Sequence, residues 1–74
     1  MNKNIDLSKR FGSKLAYIRK SKKLSQKILA GKANMNANYL GQIERGEANT
    51  TIEMIKTIAD ALDVEAKELF DFSF

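Results

Sequence analysis

The stretch SQKILAGKANMNANYLGQIERG, residues 25–46, decides the fold of this 74-residue chain. Ser25 is a good helix N-cap, and Leu29, Ala30 and Ala33 then give one apolar face to a short helix over 26–33. Asn34 stops it. Asn36 can cap a further helix over 37–45, in which Leu40 and Ile43 face inward with Met35, and Gly46 supplies a left-handed stop after Arg45. Two helices crossing steeply over so short a turn need apolar residues at the crossing, a small residue where the backbones approach, and a turn residue that tolerates positive φ. Leu29, Ala33, Met35, Leu40 and Ile43 supply the first, Ala30 the second and Asn34 the third, since asparagine follows glycine in tolerance of the left-handed region. The spacing is that of a helix-turn-helix.

On the N-terminal side, Leu7, Phe11, Leu15 and Ile18 form a helical stripe, with Lys9, Lys14, Lys20, Lys22 and Lys23 off it, so a helix is expected over 7–22. Gly12 inside it costs up to ~1 kcal/mol relative to alanine. Either a neighbouring helix passes close, or the glycine is simply tolerated. On the C-terminal side, Thr50, Thr51, Ile52 and Glu53 read as a capping box that opens a helix over 51–62, with Ile52, Ile55, Ile58, Ala59 and Leu62 as its buried stripe. Val64, Leu69 and Phe70 suggest a last helix over 65–70, and 71–74 is a tail. No window alternates with period two. The expectation is all-α: one compact five-helix domain over 1–74, without linker, repeat or low-complexity segment.

Composition narrows the chemistry. The chain has no cysteine and no histidine, which removes disulfides, thiolate nucleophiles, thiolate zinc sites and the commonest general base. No enzyme and no cofactor or metal is expected. No apolar run approaches the ~18 residues needed to span a bilayer and the first thirty residues lack the uncharged core of a secretory signal, so a cytoplasmic location is expected. The formal net charge of +4 hides an asymmetry: residues 1–34 hold ten Lys/Arg against Asp6 alone, whereas residues 35–74 hold three against eight acids. A basic face on a small domain attracts a polyanion, of which nucleic acid is the usual one, unless it is only a solvated lysine-rich surface.

Leu24-Ser25-Gln26, Leu29-Ala30, the run from Tyr39 through Gly46 and Thr51-Ile52-Glu53 resemble the phage-repressor and Cro-type helix-turn-helix family, also called XRE, over roughly residues 8–70. The short length and aromatic C-terminal end are most similar to its restriction–modification controller proteins. The resemblance implies a lambda-repressor-like DNA-binding domain whose helix over 37–45 lies in the major groove of double-stranded DNA. Asn38, Gly41, Gln42 and Arg45 recur at helical spacing opposite Leu40 and Ile43, with Asn36 and Ala37 at the N-terminal end. Asn and Gln present a donor and an acceptor side by side, which suits N6 and N7 of adenine, while Ala37 suits a thymine methyl. Asn36, Ala37, Asn38, Gly41 and Gln42 are therefore the candidate base readers. Gly41 itself either brings the backbone close to the groove or neutrally replaces a polar residue.

Phosphates are expected at Gln26 and the adjacent Lys27, where a helix begins, and, by the resemblance, at Arg45 and Asn49. Lys22, Lys23 and Lys32 are weaker candidates. The resemblance also implies an ion pair between Arg19 and Glu44 that orients the recognition helix. Ile28 departs from the acidic residue usual at its place, which exposes an apolar side chain to a partner or packs it on the first helix.

Phe70, Phe72 and Phe74 crowd the last five residues. A domain this short buries only about 60% of its unfolded surface, so a homodimer is expected through the last two helices and Leu69, Phe70, Phe72 and Phe74. Two-fold symmetry would set two recognition helices about 34 Å apart on a pseudo-palindromic operator, the geometry of a transcriptional regulator such as a repressor. The rival is a protein-interaction module of the same fold, an antitoxin or co-regulator that uses DNA secondarily.

Overall fold

The computed structural model describes the backbone of residues 3–72 and the side chains of residues 7–72. Four α-helices, α1 (Lys3–Ser21), α2 (Gln26–Lys32), α3 (Ala37–Glu44) and α4 (Ile52–Leu62), precede a 3₁₀ turn, Ala66–Phe70. No strand occurs among the described residues. The expected fifth helix is this 3₁₀ turn: a five-residue segment closed by Glu68 N–H donating to the Glu65 carbonyl at 3.0 Å is too short to repeat the α pattern.

Every element sends a fully buried aliphatic side chain to one core: Leu15, Leu29, Leu40 and Ile43, Ile58 and Leu62, and Leu69. Each contributes roughly 1.5–3 kcal/mol on burial, which is how so small a chain offsets its ordering entropy. Phe11, Ile18, Ala30, Ala33 and Ala59 complete the core, and Met35 and Leu24 pack against it. The core ends before the outer turns. Leu7 is consequently 48% exposed and Ile52 82% exposed, although both belong to the apolar stripes of their helices.

All four helices stop by one device. After α2, Asn34 at φ 54° donates to the Gly31 carbonyl and Met35 to that of Ala30, the paired bonds of a Schellman motif. Lys23, Gly46 and Asp63 hold the same left-handed position after α1, α3 and α4. Only at Gly46 does a glycine take it, and there space adds a second reason: a Cβ would lie 2.7 Å from Lys9 Cγ and 3.0 Å from Lys9 Cα.

Caps open the helices. Ser25 Oγ accepts from Ile28 N–H at 3.0 Å, and Asn36 Oδ1 from Asn38 and Tyr39 N–H at 2.7 and 3.2 Å. Thr51 Oγ1 accepts from Met54 N–H at 3.0 Å, so α4 starts at Ile52 and the third position belongs to Met54. The expected capping box with Glu53 therefore does not form, because Glu53 is one residue too early. A carboxylate reaches back instead at the 3₁₀ turn, where Glu68 Oε2 accepts from Glu65 N–H at 3.1 Å.

Gly12 lies where α1 crosses the end of α3. A Cβ there would collide with the backbone carbonyls of Ile43 and Glu44, so the glycine is the contact point of two helices and not a tolerated accident.

Candidate nucleic-acid interface

The exposed face of α3 is set by how that helix is held, and three residues of α1 and α2 hold it. Gly12 lets α1 approach its C-terminal end. The Arg19 guanidinium, from α1, donates through Nε to Glu44 Oε2 at 2.7 Å and through Nη2 to Oε1 at 3.1 Å, with side-chain exposures of only 9% and 5%. Its Nη1 donates to the Leu24 carbonyl at 2.7 Å, which ties the entry of α2 to the same group. Gln26, the first residue of α2, donates through Nε2 to Glu44 Oε1 at 2.9 Å. Glu44 thus collects α1, α2 and α3 at one carboxylate. A pair this buried gains little net energy over an apolar replacement, but its directional bonds fix orientation.

With Leu40, Ile43 and Glu44 turned inward, α3 presents Asn38 and Gln42 to solvent, half-buried Ala37 beside them, and Arg45 just beyond the helix. Two of the five expected base readers sit differently. Asn36 is exposed, but its Oδ1 is committed to the cap, leaving only the amide N–H groups to face outward. Gly41 is buried, although it shares the polar stripe. The position of its missing Cβ lies 3.1 Å from Arg45 Nη1 and 3.5 and 3.6 Å from Oε1 and Nε2 of Gln26. Gly41 is therefore covered by two long polar side chains and cannot itself face a base, which corrects its place among the readers.

Among the expected phosphate ligands, Lys27 and Asn49 are exposed, whereas Gln26 is half-buried. Arg45 Nε lies 3.1 Å from Glu47 Oε1, both side chains being 57% exposed, an ion pair that competes with any outside anion. The residue that sequence reasoning does not single out is Tyr39. Its hydroxyl donates to the Asn49 carbonyl at 2.6 Å and so pins the loop after α3 to that helix. A hydroxyl-bearing aromatic, the one aromatic of this helix, is the signal that could have found it.

The tail residues divide. Leu69 has no exposed surface, so it belongs to the subunit core and cannot form a subunit interface, contrary to expectation. Phe70 is 41% exposed, with its ring 5.1 Å from Phe11 and 6.4 Å from Phe72, and Phe72 is half-buried on the same chain. Phe74 lies outside the described residues. Ile28 is 53% exposed, which disposes of its packing on α1. Among the described residues no helix is long and apolar enough to cross a membrane.

A family model described as helix-turn-helix (HTH_3) matches residues 15–69. The control protein C.BamHI of Bacillus amyloliquefaciens is 40% identical over 74 residues, covering 99% of this chain and 89% of that protein. The crystal structure of the restriction–modification controller protein C.AhdI from Aeromonas hydrophila superposes with a TM-score of 0.84 at 42% identity, over 88% of this chain and 97% of that one. That of SinR, a master regulator for biofilm formation solved in complex with DNA, superposes with a TM-score of 0.78 at 34% identity, over 82% and 98%.

Proposed function

The chain belongs to the helix-turn-helix (HTH_3) family, and from that premise we propose that it is a sequence-specific double-stranded DNA-binding transcriptional regulator of the controller-protein kind. The observation that carries the reading is the clamp on Glu44, which has no use in a merely solvated helix face: it orients α3 while Asn38 and Gln42 stay exposed. Asn38 and Gln42 read base edges in the major groove, Ala37 contacts a thymine methyl, and Asn36 adds a donor at the helix start. Lys27, Arg45 and Asn49 hold phosphates on either side. A homodimer binds a pseudo-palindromic operator, its contact built on the exposed faces of Ile52 and Phe70.

Selection of bound duplexes from random DNA tests the whole reading. The expected product is a two-fold symmetric motif containing A/T pairs, bound with an affinity that falls steeply with salt, by about 0.9 in log–log slope per neutralised phosphate. Recovery of no motif and a flat salt response would overturn it. The exposed Ile28 favours the second reading, a protein-interaction module of the same fold. Footprinting on the DNA flanking its own gene separates the two, because only the operator binder protects a discrete site unaided.

A further inference from the structure

The outer face of α1 is a basic surface for which the duplex-reading role of α3 has no use. Arg10, Ser13, Lys14, Tyr17, Lys20 and Ser21 recur there at helical spacing, all exposed except the half-buried Lys14, on the side opposite Phe11, Leu15 and Ile18. Gly12 and Arg19, through which α1 meets α3, belong to another side of the helix. The stripe is therefore turned away from α3. No acidic residue occurs between Asp6 and Glu44, so the stripe itself contributes cations alone, and exposed Lys22 and Lys23 extend it past the end of α1. Two aromatic rings stand in this surface. Tyr17 is 57% exposed, with Lys14 Nζ 5.5 Å from its ring centroid. At the N-terminal end Phe72, which follows the acidic Asp71 in the chain, joins Lys9, Arg10 and Ser13 around an open cleft of about 330 Å³.

We propose that the outer face of α1 binds single-stranded nucleic acid, with Arg10, Lys14 and Lys20 along the phosphates and Tyr17 and Phe72 as platforms on which bases stack. This site goes beyond the role of α3 and does not depend on it. Charge complementarity calls for a polyanion, and the rings select its form. In a duplex the bases stack on one another and a convex helix face meets mainly phosphates, so both rings would be without a partner. A single strand offers an unpaired π face to each ring and a flexible backbone that can follow a line of cations. The Lys14 ammonium beside the Tyr17 ring sets a phosphate partner next to the stacked base. The cleft at Phe72 has room for a base but not for a double helix.

NMR titration of the isotope-labelled chain with a short oligodeoxyadenylate, and separately with its ribo counterpart, tests the site. Amide shifts are expected along α1 from Arg10 to Lys20 and at Phe72, with Asn38 and Gln42 unmoved. Binding of either strand there supports the proposal, and the tighter of the two names the source of the strand. Fluorescence anisotropy then compares variants whose thermal melting coincides with that of the wild type. Tyr17→Leu keeps an apolar side chain but loses the ring, and should weaken binding about five-fold or more, the worth of one stacked base. Lys14→Gln/Lys20→Gln should lower the slope of log affinity against log salt by about 1.4, at roughly 0.7 for each phosphate of a single strand. Shifts confined to α3 and Lys27 would overturn the proposal in favour of the surface already described. Equal binding of an adenine–thymine duplex at the α1 face would overturn it in favour of a phosphate-only contact. Absence of binding, or unchanged affinity of Tyr17→Leu, would overturn it as well and leave a solvated basic stripe.

Discussion

Arg19 and Glu44, 25 residues apart, meet in a two-bond clamp whose carboxylate also accepts from Gln26. Removing either partner leaves the other charged, nine-tenths buried and unpaired, which costs about 3–5 kcal/mol, a large share of the stability of a domain this size. Glu44→Ala and Arg19→Met should each lower the urea midpoint of unfolding accordingly. The double variant Arg19→Met/Glu44→Leu should be more stable than either, since no buried charge remains. Single-variant losses below about 1 kcal/mol would show that water reaches the pair.

Gly12→Ala tests the crossing of α1 and α3. On an exposed helix the substitution would stabilise by up to about 1 kcal/mol through propensity. Here the added methyl meets the carbonyl oxygens of Ile43 and Glu44, the latter at 2.5 Å, and backbone cannot swing aside as a flexible side chain can. Overpacking of this kind costs typically 1–3 kcal/mol, so the expected sign is net destabilisation, with α3 displaced and DNA affinity reduced. Thermal unfolding gives the sign directly, and an increase in Tm would refute the close approach.

Thr50→Val should stabilise. Thr50 Oγ1 is buried without a hydrogen-bond partner, beside Thr51, whose hydroxyl does the capping. An orphaned buried hydroxyl forfeits its hydration, about 1–3 kcal/mol, and valine has nearly the same shape without the polar atom. Chemical denaturation should show a gain of about 1 kcal/mol. A loss would mean that a water occupies the site and hydrogen-bonds the hydroxyl.

Structural positions show unequally in the sequence, and the reason is the range of the interaction involved. Asn34 is readable as the turn residue because tolerance of positive φ is a property of the residue itself. Asp63 shares that tolerance, whereas Lys23 adopts the same conformation without any such preference, imposed by where the next element must go, so nothing local announces it. Gly12 signals a close approach but not to what, since Ile43 and Glu44 lie some thirty positions away. Periodicity puts Ile52 in line with Ile55 and Leu62 but has no knowledge of where the core stops, and Ile52 falls beyond it. Asn38 and Gln42 follow from helical spacing alone. The place of Gln26 over Gly41 does not, because it depends on how α2 crosses α3 and on a carboxylate held from α1.

Glu47→Gln should tighten DNA binding. Arg45 is proposed to hold a phosphate, and its Nε now lies 3.1 Å from Glu47 Oε1 on an exposed surface. The pair must loosen when the phosphate arrives, and the Glu47 charge repels the phosphate directly. Exposed pairs of this kind are worth about 0–1 kcal/mol, which bounds the gain at roughly five-fold in affinity at low salt, shrinking as salt screens it. Fluorescence anisotropy over a salt series reads both. Weaker binding would place Arg45 away from the phosphate and make Glu47 its positioning partner.

Ile52→Glu should separate subunits without unfolding them. Ile52 is 82% exposed at the first turn of α4, so its side chain contributes little to the core, and a glutamate beside a helix N-terminus is electrostatically acceptable. The fold should therefore keep its melting temperature once dimer dissociation is allowed for. In a two-fold contact the same residue appears on both sides, so the substitution buries two like charges near the axis and is felt twice. Sedimentation equilibrium should give a dimer for the wild type at micromolar concentration and a monomer for the variant. Operator affinity should fall because the half-sites are then bound one at a time, losing the advantage of linked binding. A wild type that remains monomeric with and without DNA would rule out the dimer. A variant that remains dimeric would move the interface from the start of α4 to the exposed face of Phe70.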